Sequence, residues 1–255
     1  MTTKRQGRRS AQDAEQTRQH ILRVATALFC EFGYARVSLR TISEKAGISH
    51  SLIRHHFGSK EQIWYGISDN VHQYIDKYCQ TILAHLSKDM PVNEMLYQFT
   101  VRVLAFTLLH KQPIQLMADV VRQEGGRFDY FIDKSGKVEK LILHLTEDYN
   151  QRFPENAIKI WEIKWQMIMF AHSAASLRPF LNETWSQECT TEDECLLKHW
   201  QMCNEMMAAK FQIPESSRLQ PQRLEDLVLR LGGQEIITGI NQNSGQSSAL
   251  EKTDN

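Results

Sequence analysis

The stretch LRTISEKAGISHSLIRHHFGSK, residues 39–60, is the part of the chain that decides its fold. Its apolar residues recur at the spacing by which two short helices turn one side toward each other. Gly47 stands between the two predicted helices, because glycine adopts a left-handed backbone more easily than other residues. The predicted inward positions are Leu39, Ile42, Ala46, Ile48 and Ile53. The stretch therefore predicts a helix-turn-helix whose second helix turns a polar face outward.

The outward positions of this stretch carry arginine, histidine and hydroxyl groups instead of paired glutamate and lysine. Such groups suit phosphates and base edges, so this face is predicted to contact double-stranded DNA. The predicted contact residues are Ser38, Arg40, Thr41, Ser49, His50, Ser51, Arg54, His55, His56 and Lys60.

Three serines mark predicted helix starts. Ser38 and Ser49 precede the two short helices, and Ser59 with Gln62 forms a capping box that begins a third. A helix start also leaves free N–H groups that can bind phosphate oxygens. Two interpretations stay open, since these serines either contact DNA as well or only begin helices.

Residues 21–63 resemble the N-terminal domain of the TetR family of bacterial transcriptional regulators. The resemblance rests on ILRVATALFCEFGY at 21–34, LRTISEKAGIS at 39–49 and HHFGSKEQI at 55–63. It covers about the first quarter of the chain. It implies a three-helix DNA-binding domain followed by a larger helical domain that binds a ligand and dimerises.

Two residues depart from the family pattern. Most members carry a tyrosine that touches the DNA backbone at the position of Arg54, whereas an arginine there can pair with a phosphate or reach a guanine edge. Ser43 stands where an alanine is usual, and this exchange of small residues should fit.

Charge is unevenly distributed although the whole chain is neutral. Residues 1–60 contain 11 Lys and Arg against 4 Asp and Glu, a balance of +7, and residues 61–255 contain 19 against 26, a balance of −7. The front end therefore predicts a nucleic-acid-binding surface. Its first residues are predicted to be a disordered arm that enters the minor groove, or else a solubilising tail. The basic residues of this arm are Lys4, Arg5, Arg8 and Arg9.

Several classes of protein have no supporting motif. We find no long apolar run and no signal peptide, so a cytoplasmic protein without a membrane partner is expected. The five cysteines lack a CxxC pair, which favours reduced thiols. Because phosphate-binding loops, HExxH and GxSxG are absent from the sequence, we predict no cofactor, no metal site and no catalytic residues.

The rest of the chain has helical periodicity and no convincing strand, so the predicted fold class is all-α. A long helix from Ser59 to about Ser87 is predicted to link the DNA-binding domain to the rest. The predicted domains are 1–60 for DNA binding and 61–212 for regulation and dimerisation. Residues 213–255 are predicted to be a largely disordered extension, although residues 224–231 could form a short docking turn.

Residues 158–175 carry two apolar stripes, and residues 196–211 carry a similar surface. Two stripes need two burial partners, so a homodimer with a four-helix interface is predicted. The alternative is that both stripes belong to the internal core.

The resemblance implies a repressor that a small apolar or amphipathic ligand releases from a palindromic operator. The predicted pocket residues are Tyr74, Phe99, Val103, Phe106, Met117, Trp165 and Met169. One alternative is a DNA-binding factor of the same fold that responds to a protein partner or organises the nucleoid. Another is a helical enzyme with an incidental basic end.

Overall fold

The computed structural model describes residues 4–121, 126–133 and 136–231. Within these ranges the backbone forms α-helices and short 3₁₀ turns and contains no β-strand, which confirms the all-α prediction. The helices are α1 (Lys4–Phe32), α2 (Leu39–Ala46), α3 (His50–Phe57), α4 (Lys60–His85), α5 (Val92–Leu109), α6 (Gln112–Val121), α7 (Arg127–Asp133), α8 (Gly136–Arg152), α9 (Ile160–Ser176), α10 (Arg178–Thr184) and α11 (Glu192–Lys210).

The first hydrophobic core joins α1, α2, α3 and the beginning of α4. Ile21 and Phe29 of α1 meet Ile42 of α2, Ile53 of α3 and Trp64 of α4, and all five side chains are almost completely buried. Burying each such side chain contributes about 1.5–3 kcal/mol to folding, so this core supplies most of what holds the two short helices in place.

Helix α6 also belongs to this first core, since Leu116 and Val120 are buried in it. One turn of α6 places the Asp119 carboxylate where it accepts a hydrogen bond from the Tyr34 backbone N–H at 2.8 Å. Gly33 has a φ of +78°, and a Cβ there would lie 3.1 Å from Asp119 Oδ1. The loop between α1 and α2 therefore rests on α6, which lies beyond the predicted domain boundary at residue 60.

Helix α4 continues from the first core into a second one. Tyr78 and Ile82 near its end pack with Phe99 and Phe106 of α5 and with Ile142 of α8. The predicted long helix is thus present, within one or two residues of the expected bounds. Its two ends lie in different cores, so a tilt of α4 would be felt in both.

The third and largest core lies among α5, α9 and α11. Trp200 and Met207 of α11 are fully buried against α5, and the Trp200 indole N–H donates to the Val101 carbonyl at 2.8 Å. A capping box at Thr191 and Glu194 begins α11. All five cysteines are free thiols, in agreement with the absence of a CxxC pair.

Residues 127–133 and 136–152 are helical, as the helical periodicity of this part of the chain predicts, and residues 134–135 between them lie outside the described ones. Helix α10 was not predicted, and its second residue is Pro179, which is well suited to a helix start.

The prediction that the first residues form a disordered arm is wrong for the backbone of residues 4–10. Helix α1 already begins at Lys4 and includes Arg5, Arg8 and Arg9. Arginine, glutamine and alanine are good helix formers, so the helix extends outward from its buried turns. The side chains of residues 4–10 lie outside the described ones.

The C-terminal extension is ordered where it is described. Ile213, Leu224 and Leu227 are buried in the third core, and residues 224–227 form a 3₁₀ turn. The docking turn is thus present, whereas "largely disordered" is wrong for residues 213–231, because their apolar side chains find a core to cover. Residues 232–255, including the stretch from Asn241, lie outside the described part of the chain.

Candidate DNA-binding site

Helix α2 is fixed at both ends by short-range hydrogen bonds. The Ser38 hydroxyl accepts from the Thr41 backbone N–H at 3.1 Å, and Gly47 ends the helix with φ +66° and ψ +29°. The Ser43 hydroxyl donates to the Ile48 carbonyl at 2.7 Å, so this serine links α2 to the turn that follows it. The turn after α2 is therefore well defined, and it sets the direction in which α3 leaves.

Helix α3 begins at the Ser49 cap, whose hydroxyl accepts from the Leu52 N–H at 3.2 Å. Ile53 and Phe57 are buried beneath α3, which leaves a continuous polar face on its outer side. The exposed polar residues of this face are His50, Ser51, Arg54 and His55, which neighbour each other at spacings of three and four. The sequence therefore predicted this face correctly as a surface, while its contacts with DNA remain a prediction.

Leu52 also reaches the surface of α3, with 36% of its area exposed, and it is not among the predicted contact residues. An aliphatic side chain at this place suits the methyl group of a thymine. Its exposure could have been predicted from the sequence, because Leu52 precedes Ile53 and lies outside the buried stripe of α3.

Arg40 projects fully into solvent from the first turn of α2 and pairs with Glu44 one turn later, at 2.9 Å. This hydrogen bond raises the pKa of the Arg40 guanidinium. An exposed pair of this kind is weak, so the guanidinium is free to exchange the carboxylate for a phosphate.

Lys60 differs from the other predicted contacts because its ammonium group points into the protein. Its Nζ donates to the carbonyls of Tyr34 and Val37, both at 2.9 Å, and lies 4.1 Å from the centre of the Tyr34 ring. Burial lowers the pKa of Lys60, and the nearby Arg127 charge lowers it further. Lys60 therefore ties the start of α4 to the loop that leads into α2.

Replacing Lys60 with methionine should lower the free energy of unfolding by about 1–3 kcal/mol, since two carbonyls would lose a charged donor. Urea unfolding followed by far-UV circular dichroism measures this loss. The matched control is Lys45→Met, because Lys45 is exposed in α2. Unchanged stability with a large loss of DNA affinity would instead support the predicted role of Lys60 as a phosphate contact.

The predicted ligand-pocket residues do not form one group. Tyr74, Val103 and Phe106 lie in the second core, with the rings of Tyr74 and Phe106 5.5 Å apart, and Phe99 is buried beside them. Met117 packs at the edge of the third core. Trp165 and Met169 are exposed on α9, because they belong to its outer stripe and the inner stripe faces the core. Among the described residues these two side chains therefore lie apart from the core that contains Tyr74 and Phe106.

A large apolar surface is left uncovered on α9, α10 and α11, three helices that contact one another. We call it the apolar face. Its exposed members are Trp161, Trp165, Met169, Leu177, Phe180 and Met202. Its α9 residues form the outer of the two stripes predicted for residues 158–175, and this stripe still requires a burial partner.

The described residues contain neither a membrane-spanning helix nor a metal-binding cluster. None of their helices combines the length and the apolar content needed to cross a lipid bilayer. No cluster of three or more histidine, cysteine, aspartate or glutamate side chains in residues 4–121, 126–133 and 136–231 is arranged to hold a metal ion.

The fold and the polar α3 face together define a helix-turn-helix protein with a helical second body. Residues 21–64 match the family model for bacterial regulatory proteins of the tetR family. The transcriptional regulator AcrR of Shigella flexneri is 40% identical over 155 residues, which cover 55% of this chain and 69% of AcrR. The transcriptional repressor Rv3405c of Mycobacterium tuberculosis is 32% identical over 100 residues, 39% of this chain and 50% of the relative.

Among solved structures, a TetR-family transcriptional regulator from Bordetella parapertussis superposes with a TM-score of 0.50 at 16% identity. The superposition covers 80% of this chain and 98% of that one, and it supports the fold alone. The chain spans about half the length of several curated relatives that it matches. From the match to AcrR and the family model, the chain belongs to the TetR family of bacterial regulatory proteins.

Proposed function

We propose that this protein is a dimeric transcriptional repressor that binds a palindromic operator through α3 and leaves it when a small molecule binds the second body. The observation that carries the proposal is the exposed polar face of α3, held on a buried core and free of acidic residues. A helix of this size and composition fits the major groove, where arginine and histidine can donate to base edges.

The apolar face supports the dimeric part of the proposal. Single exposed apolar residues are ordinary, whereas two tryptophans, a phenylalanine and further aliphatic side chains on adjoining helices indicate an interface. A twofold axis through this face would bring the α9 and α11 helices of two copies together. Two α3 helices could then reach successive major grooves, which lie about 34–36 Å apart on one side of DNA.

The contacts of the DNA-binding helices with α4 and α6 support the ligand-responsive part of the proposal. Because Leu116, Val120 and Asp119 of α6 contact the first core or its α1–α2 loop, a shift of α6 would move α3. A ligand that fits a shifted arrangement better would favour a spacing of the two α3 helices that the operator cannot accept.

The direct test is the substitution Arg54→Ala in the full chain. We expect operator affinity to fall by about 10-fold to 100-fold, corresponding to a lost charged contact at the centre of the α3 face. The operator is obtained by selecting and sequencing genomic fragments bound by the wild-type protein. Gel-shift titration of operators with single base-pair changes then separates base reading from backbone contact.

Arg152→Ala is the matched control, because Arg152 is exposed on α8 and pairs with Asp148 away from α3. A loss confined to particular base pairs indicates base reading by Arg54, and a uniform loss indicates a phosphate contact. If wild-type protein binds no duplex at low ionic strength, the proposed function is wrong. Binding that no small molecule releases would favour the alternative, a factor of this fold controlled by a protein partner or acting in nucleoid organisation.

A further inference from the structure

The C-terminal segment runs across the second core at the place where the aromatic pocket residues lie. We call residues 228–231 the strap. Val228, Leu229 and Leu231 of the strap pack against the cluster that contains Tyr74 and Phe106. The strap thus occupies the surface around Tyr74 and Phe106 that is predicted to bind a ligand.

The chain before the strap is firmly anchored. The Leu219 N–H donates to the Tyr97 hydroxyl at 2.9 Å, that hydroxyl donates to Asn204 Oδ1 at 2.6 Å, and Asn204 Nδ2 donates back to the Leu219 carbonyl at 3.0 Å. Leu224 and Leu227 are then buried almost completely. The three apolar residues of the strap are by contrast only half-buried, so it can lift while its anchor stays in place.

Two polar groups beneath the strap, on Arg102 and Tyr78, have few partners among the described residues. Arg102 is half-buried, and its guanidinium donates to the Leu227 carbonyl at 3.1 Å and to the Gln98 side chain at 3.4 Å. No carboxylate pairs with Arg102 in the part of the chain that the structure describes. The Tyr78 hydroxyl is buried beside the Leu229 backbone, and within the described residues its O–H has no acceptor.

The charge on Arg102 is therefore balanced by neutral acceptors only. Burial lowers the pKa of its guanidinium. Burial also raises the pKa of Tyr78, although the adjoining Leu229 backbone lowers it, so the phenol stays protonated and can donate. A half-buried cation and an unused hydroxyl beside aromatic rings together suit an organic anion with an apolar body.

We propose that the strap is a tethered occupant of the ligand site, and that the ligand is an amphipathic organic anion. Its carboxylate or sulfonate pairs with the Arg102 guanidinium beside the Leu227 carbonyl, and its apolar body takes the place of Val228 and Leu229 on Tyr74 and Phe106. This inference rests on the proposed ligand-responsive function. Because the strap must lift first, the apparent affinity for the ligand is reduced by the fraction of molecules in which it is lifted.

The test uses the full-length protein and 1-anilinonaphthalene-8-sulfonate, a fluorescent aromatic anion. The double substitution Val228→Ser and Leu229→Ser weakens the strap while leaving Leu224 and Leu227 in place. We expect this variant to bind the probe about 10-fold more tightly than wild type. The control Arg230→Ser changes an exposed residue of the same segment and should leave binding unchanged.

The charge requirement is tested by adding Arg102→Gln to the strap variant. Affinity for the anionic probe should fall about 10-fold. Affinity for N-phenyl-1-naphthylamine, which has a similar ring system without the sulfonate, should stay within about twofold. An equal loss for both probes would mean that Arg102 only supports the fold. Equal binding by wild type and strap variant, with unchanged urea unfolding, would overturn the strap as an occupant.

Operator gel shifts on the same proteins separate this inference from the proposed function. We expect saturating anionic probe to release the operator from the strap variant at a lower concentration than from wild type. Tighter probe binding without any release would overturn the assignment of this site to the ligand. Failure of wild type to bind DNA would overturn the proposed function, and the comparison of the two probes would still decide the strap.

Discussion

Replacing Trp165 with glutamate is expected to convert the proposed dimer into a monomer and to weaken operator binding by about 100-fold or more. Trp165 is 62% exposed near the middle of α9, where no described residue covers the apolar face. A carboxylate in the centre of an apolar interface would lose its hydration without gaining a partner, and a loss of about 2.7 kcal/mol already corresponds to 100-fold. A monomer presents one α3 helix and cannot bind two half-sites together.

Sedimentation velocity measures the oligomeric state of this variant, and gel shift measures its operator affinity. Leu143→Glu is the matched control, since Leu143 is an exposed apolar residue of α8 outside the apolar face. It should leave both properties unchanged. A Trp165→Glu protein that stays dimeric and binds the operator normally would place the interface elsewhere.

Trp64→Ala should lower the free energy of unfolding by about 3–5 kcal/mol, the usual cost of removing a buried large aromatic side chain. Trp64 is 2% exposed in the first turns of α4 and belongs to the first core. Its ring also lies 6.4 Å from the rings of Tyr130 and Phe131 on α7. The cavity left by the missing ring would therefore loosen the packing of α2 and α3 and the contact of α4 with α7. Operator binding should be lost as a result.

Trp161→Ala removes the same side chain from a position that is 58% exposed in one chain. Urea unfolding of this control at a concentration where the protein is monomeric should differ from wild type by less than about 1 kcal/mol. If both tryptophan variants unfold alike, burial in the first core does not set the stability of the DNA-binding unit.

The helix-turn-helix could be predicted from the sequence because its determinants are local. Each determinant acts on residues close to it in the sequence. These determinants are the caps at Ser38 and Ser49, the left-handed Gly47 and the apolar stripe that ends in Ile53. The resemblance places Lys60 on the DNA-contacting surface, near the end of the matched stretch. Its burial depends on the carbonyls of Tyr34 and Val37, which lie more than twenty positions away in the sequence.

The second body shows the opposite case. Helical periodicity identifies both stripes of α9, but it does not state which stripe faces the core; Trp165 and Met169 lie on the stripe that is exposed. Likewise, the apolar spacing of residues 224–231 predicts a docking turn but does not predict the surface against which that turn packs. That surface is set by Tyr97, Asn204 and Arg102, which are contributed by two separate helices.

The contact of Asp119 with the Tyr34 backbone has a consequence for how such regulators can be recombined. A chimaera that grafts residues 1–60 onto the sensor of another protein would inherit the α1–α2 loop without the carboxylate that receives it, and would expose the apolar surface that Leu116 and Val120 now cover. The transferable module is therefore discontinuous in the sequence. It consists of the front end together with the matching turn of α6, and a biosensor built from this scaffold must carry both pieces.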